Sequence, residues 1–254
     1  MRLWWIILAA IVISTTPAGA QRGLGLAPDQ RERLQDLIRQ TKQDTFATRQ
    51  ALFQKRQALV QAYANYDLNE KKAHETIRTI NDIQRRLLDL NYQNQAGIRC
   101  ILDKQQFEIF ADELKQRPRR RHAPMKPPSI DAMDGLVPGD MARQGIERLK
   151  LSPDQVERVK AILHPNAPGR KSPDEGLREN TEAVRQLYSN YELDDKRVKK
   201  LLDKMNGSQR RLLESGLRRQ IELRRVLSKE QFDMLMADVR RGMKHRFDRG
   251  PRFR

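Results

Sequence analysis

Leu151-Ser-Pro-Asp-Gln155 carries the reading of this chain, because each of its residues suits one place at a helix start. Ser152 can cap the N-terminus through its hydroxyl, and Pro153 fits the first helical position, where no N–H is needed. Gln155 stands at the third position and can reach back to the N–H of the cap. Leu151 and Val156 flank the cap as a hydrophobic staple. Three further stretches repeat the pattern: Leu26-Ala-Pro-Asp-Gln30, Leu102-Asp-Lys-Gln-Gln106 and Leu227-Ser-Lys-Glu-Gln231. Asp103 and Ser228 are the caps of the second and fourth, and Leu102 with Phe107 and Leu227 with Phe232 are their staples. The first is the weakest, since Ala27 has no capping side chain and Arg31 takes the staple position.

Working outward, residues of the first half match residues 125 positions later without a gap. Tyr63-Ala-Asn-Tyr66 aligns with Tyr188-Ser-Asn-Tyr191, and Gln84-Arg-Arg-Leu-Leu88 with Gln209-Arg-Arg-Leu-Leu213. Lys104, Gln106 and Phe107 align with Lys229, Gln231 and Phe232. One constant offset held this long reads as a tandem duplication of a unit of roughly 90 residues.

Arg2, the apolar run Leu3–Ile13 and Ala18-Gly19-Ala20 read as a cleavable secretory signal over residues 1–20. The run is short for a membrane span. Export to the periplasm is the expected localisation. Cys100 is the only cysteine, so no intrachain disulfide can form. It aligns with Arg225; an idle thiol is the commoner role, and an intermolecular disulfide the sharper one. Lys and Arg number 50 against 33 Asp and Glu, a formal net charge of +17. In an exported protein this charge points away from nucleic acid, and toward acidic clients or the anionic envelope surface. Apolar residues make up 38% and aromatics 6%, which suits extended helices with a thin core.

Helix formers dominate from Pro28 to Leu114 and from Pro153 to Val239, and sustained strand alternation is missing. Pro28 to Tyr66 has no internal Pro or Gly and reads as one long helix, or two with a bend near Thr41–Thr48. In the second half, three prolines and a glycine break the helix between His164 and Pro173. Asn69 and Asp194 cap a long helix in each half. Its apolar stripe is Ala73, Ile77, Ile80, Leu87, Ile98 and Ile101, matched by Val198, Leu202, Met205, Leu212, Leu223 and Val226. Gln84, Asn91 and Asn94, matched by Gln209, Gly216 and Arg219, interrupt that seam, so the middle of the helix is expected to face a groove or solvent. Each half closes with a short helix, Lys104 to about Lys115 and Lys229 to about Arg241. The expected organisation is a signal at 1–20, a first repeat at 21–116, a Pro/Arg-rich linker at 117–145, a second repeat at 146–241 and a basic disordered tail at 242–254. The fold class is all-α, two tandem repeats of three to four helices each.

The four Leu-cap-x-x-Gln starts, in an exported, basic, helical chain, resemble the Spy/CpxP family of LTXXQ-motif periplasmic stress proteins. The resemblance covers about residues 24–115 and 146–241; Ala27, Asp103 and the duplication itself depart from it. It implies thin helical cradles that form as dimers. It implies ATP-independent chaperones, restraint of an envelope-stress sensor kinase, or metal binding by some relatives. A duplicated chain would then build the cradle as an intrachain pseudo-dimer, or pair as a homodimer.

No sequence pattern of a catalytic site is present: there is no Gly-rich phosphate loop, G-x-S-x-G or H-E-x-x-H. His74, His122, His164 and His245 are scattered, and Glu70 with His74 resembles an ordinary solvated i,i+4 pair. No enzyme, cofactor or metal ligand set is expected. Met234 and Met236 read as helix packing. The expected partners are unfolded or misfolded periplasmic proteins, with a sensor kinase domain or a heavy metal as alternatives. The candidate contact residues are Arg85, Arg86, Arg210, Arg211, Arg218, Arg219, Arg224 and Arg225, with Phe46 and Phe53 for apolar contact. A solvated helix face is the plain alternative for each arginine.

Overall fold

The computed structural model describes residues 24–116, 149–163 and 173–248, and these contain seven α-helices and no strand. They are α1 (Pro28–Ala64), α2 (Glu70–Ile101), α3 (Lys104–Gln116), α4 (Pro153–Leu163), α5 (Pro173–Tyr188), α6 (Asp195–Val226) and α7 (Lys229–Asp248). The expected signal, the linker and the break after Leu163 lie outside the described residues.

Local signals account for the helix ends. Pro28 and Pro153 each stand first in their helix, and Asn69 and Asp194 accept the N–H of Lys72 and Arg197, both at 2.9 Å. α1 is a single helix of 37 residues with no break at Thr41–Thr48. Thr48 instead turns its hydroxyl onto the Asp44 carbonyl at 2.6 Å, which satisfies it without ending the helix. α7 runs to Asp248, so the expected tail is helical up to that residue. The breakers Gly250 and Pro251 come only after it.

Two compact units divide the chain, and they are not the two sequence halves. Among the described residues one unit holds 24–53, 80–116 and 173–209, and the other 54–79, 149–163 and 210–248. In the first unit, Leu24, Leu26, Leu34, Ile98, Leu102, Phe107 and Phe110 form a core, against which Tyr191 packs. In the second, Val159, Leu223, Val226, Leu227, Phe232 and Met236 do the same, against which Tyr66 packs. Gly97 lets α1 and α2 close up in the first unit, since a Cβ there would lie 2.9 Å from Leu37 Cδ2.

The polar middle of the seam turns inward, fully in α2 and partly in α6. Gln84, Asn91 and Asn94 are buried, as is Gln209, while Gly216 and Arg219 are half-buried. This corrects the expected groove or solvent face. The reason is the continuous three-and-four step from Ala73 to Leu102, which carries the polar positions inward with the apolar ones. Thr41 donates its hydroxyl to Asn94 Oδ1 at 3.2 Å. Leu88 and Leu213, not their neighbours Leu87 and Leu212, take the buried place.

Before the first and third helix-start signals the backbone makes the same left-handed step, at Gly25 with φ 58° and at Lys150 with φ 48°. A lysine there bears a Cβ clash that glycine avoids. Lys150→Gly is expected to raise the unfolding free energy by about 0.5–1 kcal/mol, and Gly25→Ala to lower it by a similar amount. Urea unfolding followed by circular dichroism reads both.

Candidate functional site

The helix-start signals of each half come together in one corner. Asp103 accepts the Gln106 N–H at 2.8 Å while Gln106 Oε1 accepts the Asp103 N–H at 3.1 Å, a full capping box on an acidic cap. Ser152 with Gln155 and Ser228 with Gln231 make the same box. Ala27 makes only the half its backbone allows, donating its N–H to Gln30 Oε1 at 3.1 Å. The glutamines then do a second task. Gln30 Nε2 donates to the Ile101 carbonyl at the end of α2, at 2.8 Å, and to Gln106 Oε1 at 3.1 Å. Gln155 Nε2 donates to the Val226 carbonyl, at 2.8 Å, and to Gln231 Oε1 at 3.0 Å. One amide thus satisfies a helix start and a helix end, whose carbonyls have no partner within their own helix.

A turn from the other half is bolted onto each corner by an arginine. In the first unit Arg99 donates to the carbonyls of Tyr188, Asn190 and Tyr191, at 2.8, 2.7 and 2.9 Å. Its guanidinium lies 4.4 Å over the Phe107 ring, and the Tyr191 hydroxyl donates to the Leu102 carbonyl at 3.2 Å. In the second unit Arg224 donates to the carbonyls of Tyr63, Asn65 and Tyr66, at 2.8, 2.7 and 2.9 Å. It lies 4.3 Å over Phe232, and the Tyr66 hydroxyl donates to the Leu227 carbonyl at 3.3 Å. Every one of these residues is its counterpart's number plus or minus 125. A cation at the carbonyl end of a helix also complements the helix dipole. Burial pulls both arginines down to about 10, with the nearby tyrosines acting the other way, so both remain charged at neutral pH. Burial, opposed by the neighbouring arginines, pushes the Tyr63 and Tyr188 hydroxyls well above their ordinary range.

The candidate contact residues fall into three groups. Arg224, proposed from sequence as a contact residue, has its guanidinium engaged in the clamp just described. Arg99 was missed, although Gln95-to-Gln220 and Arg99-to-Arg224 keep the same offset as the tyrosine turns. Arg85 pairs with Asp89 and Asp203, Arg210 with Glu214 and Arg225 with Glu222, and Arg219 reaches Ser215 Oγ. Arg86, Arg211 and Arg218 are exposed. Phe46 and Phe53 are 62% and 38% exposed, and Ile109 and Met234, again 125 apart, are also exposed. Met236 is buried, so of the two methionines read as packing residues only it is in a core. Cys100 is an exposed free thiol.

Among the described residues no group of three His, Cys, Asp or Glu is arranged to hold a metal ion, and no helix is long and apolar enough to cross a membrane. A sequence model of a family described as heavy-metal resistance matches residues 115–234, a stretch that contains α4, α5 and α6. No curated protein and no solved structure matches the chain.

Two predictions follow from the clamps. Arg99→Lys and Arg224→Lys should each cost about 1–3 kcal/mol in urea unfolding, because a point ammonium cannot serve several carbonyls and a ring face together. A tyrosine whose folded pKa stands above its unfolded value of about 10 adds no pH dependence below 10 and loses stability as pH rises past it. Arg99 and Arg224, pulled down by burial and in turn held up by these tyrosines, act in the opposite sense at alkaline pH. Tyr63→Phe with Tyr188→Phe is expected to flatten the alkaline loss of stability relative to wild type; an identical alkaline profile would contradict it.

Proposed function

We propose, from the membership of residues 115–234 in the heavy-metal-resistance (LTXXQ, Spy/CpxP-like) family, that this protein is a periplasmic chaperone that holds non-native proteins without ATP. The family is non-enzymatic in general and typically periplasmic. One observation supports the reading most: Phe46 and Phe53 stand exposed on α1, a helix that also exposes Arg31, Arg33 and Arg39, while the motif glutamines and the clamp arginines are taken up in folding. An unfolding protein offers apolar segments and carboxylates together. A basic surface draws it in at long range, and exposed apolar groups hold it without demanding one sequence. The leader read at residues 1–20 would deliver the chain to that compartment.

The matched stretch holds the second repeat as far as residue 234 and leaves out the first repeat before residue 115. We further propose that the first half is a second copy. The reciprocal Arg99 and Arg224 clamps support this, since both use the same residue types at one offset.

A second reading, heavy-metal sensing or resistance, is favoured by the description of the family itself. Titration calorimetry of the mature chain with zinc, copper and nickel tests it. Stoichiometric binding would favour it.

The chaperone reading is tested by diluting a chemically unfolded model protein with and without the mature chain, in metal-free buffer lacking ATP. Suppression of light scattering at near-stoichiometric ratio is expected. It should weaken as ionic strength rises from about 0.01 M to about 1 M, which shortens the screening length from about 30 to about 3 Å. No suppression at low salt would count against the reading.

A further inference from the structure

α1 carries a face that fits a narrower partner than a generic unfolded chain. Phe46, Arg49 and Phe53 follow one another at helical steps of three and four, so they share one side of the helix, all within the first unit. Both rings are exposed, at 62% and 38%, and Lys42 and Gln50 are exposed around them. Arg49 between the rings is half-buried and makes no ion pair or hydrogen bond among the described residues.

That arginine differs from the others on α1. Arg39 has Asp36 at 2.6 Å, three residues away. The residues within one turn of Arg49 on its own side are Thr45, Phe46, Leu52 and Phe53, none of them acidic. From Thr45 to Ala64 there is no acid at all, while Arg49, Lys55 and Arg56 are basic. Asp44, the nearest acid upstream, lies on another side of the helix and accepts from Gln40 at 3.0 Å. Burial holds the Arg49 guanidinium below its ordinary range, with no opposite charge to offset it. A partly desolvated cation on the same helix face as two exposed rings is complemented by a carboxylate carried among apolar side chains.

We infer that the Phe46–Arg49–Phe53 face of α1 is a docking site for an extended or helical segment of a non-native protein that presents a carboxylate flanked by apolar side chains. The inference deepens the chaperone reading and rests on it for the kind of partner. The site is not repeated at the 125-residue offset. At the positions 125 residues later stand Lys171, Asp174 and Arg178, which replace both rings with cations and reverse the central charge.

The probe is a short fluorescein-labelled peptide of leucines and glutamates, with a second peptide in which every glutamate is glutamine. Fluorescence anisotropy with the mature chain should show the acidic peptide bound at one per chain, and about tenfold or more tighter than its amide counterpart. Arg49→Gln should remove most of that tenfold difference, and Phe46→Ser with Phe53→Ser should weaken both peptides. Circular dichroism checks that each variant keeps its helices, and the exchange of peptide charge tests the site on the unaltered protein. Equal binding of the two peptides to wild type, saturation at two per chain, or an Arg49→Gln variant in its native fold that still prefers the acidic peptide would overturn the site. The chain's own stretch Ser129–Asp140 holds Asp131, Asp134 and Asp140 among apolar residues and no base. If wild type binds neither peptide while Asp131→Asn, Asp134→Asn, Asp140→Asn together allow the acidic one to bind, the face belongs to that stretch and the partner assigned here is wrong. Aggregation suppression measured on the same proteins separates the two readings. Suppression by wild type that Arg49→Gln and the phenylalanine variants leave unchanged, without selective peptide binding, removes the site and leaves the chaperone. Selective peptide binding without suppression keeps the site and removes the chaperone.

Discussion

An arginine gripping the carbonyls at the end of another helix is the contact on which each compact unit depends. The last turn of a helix leaves carbonyls with no partner of its own, and the turn after α5 or α1 adds more. Arg99 and Arg224 take three of these carbonyls each, and the phenylalanine beneath closes the other side of the guanidinium plane. Removing the arginine would leave several dipoles facing a half-buried space. Replacing it by a smaller cation would leave most of them unserved.

The glutamines of the helix starts complete the same corner from below. An amide is suited to this because it accepts and donates at once: its oxygen takes the cap N–H, and its nitrogen serves the end of the long helix of the same half and the paired glutamine. A glutamate could not donate to the Val226 or Ile101 carbonyl, and a lysine could not accept from the cap. The motif is therefore a three-way junction rather than a simple helix start, and it explains why the signals occur in pairs within each half.

This division of labour shapes the functional reading. The residues that repeat most faithfully, the glutamines, the tyrosine turns and the clamp arginines, are spent on folding. The residues left to meet a partner do not all repeat: Ile109 and Met234 correspond, whereas Phe46, Arg49 and Phe53 have no counterpart. The residues that hold the corners together thus keep the 125-residue offset, and the exposed face of α1 does not.

Helix starts, helix lengths and the constant offset were legible in the sequence, because capping and helical periodicity act within about one turn. So was the pairing of the tyrosine turns by residue type, though not what they touch. Two halves with the same residues offer the same partners, and no local rule says whether Arg99 meets the turn at Tyr66 of its own half or the turn at Tyr191 of the other. Tertiary packing decided for the other half, across contacts 89 and more residues apart. It decided likewise that Gln84, Asn91 and Asn94 lie inside and that Phe46 lies outside. Periodicity tells which side chains share a face of a helix; only a neighbouring helix determines whether that face is covered.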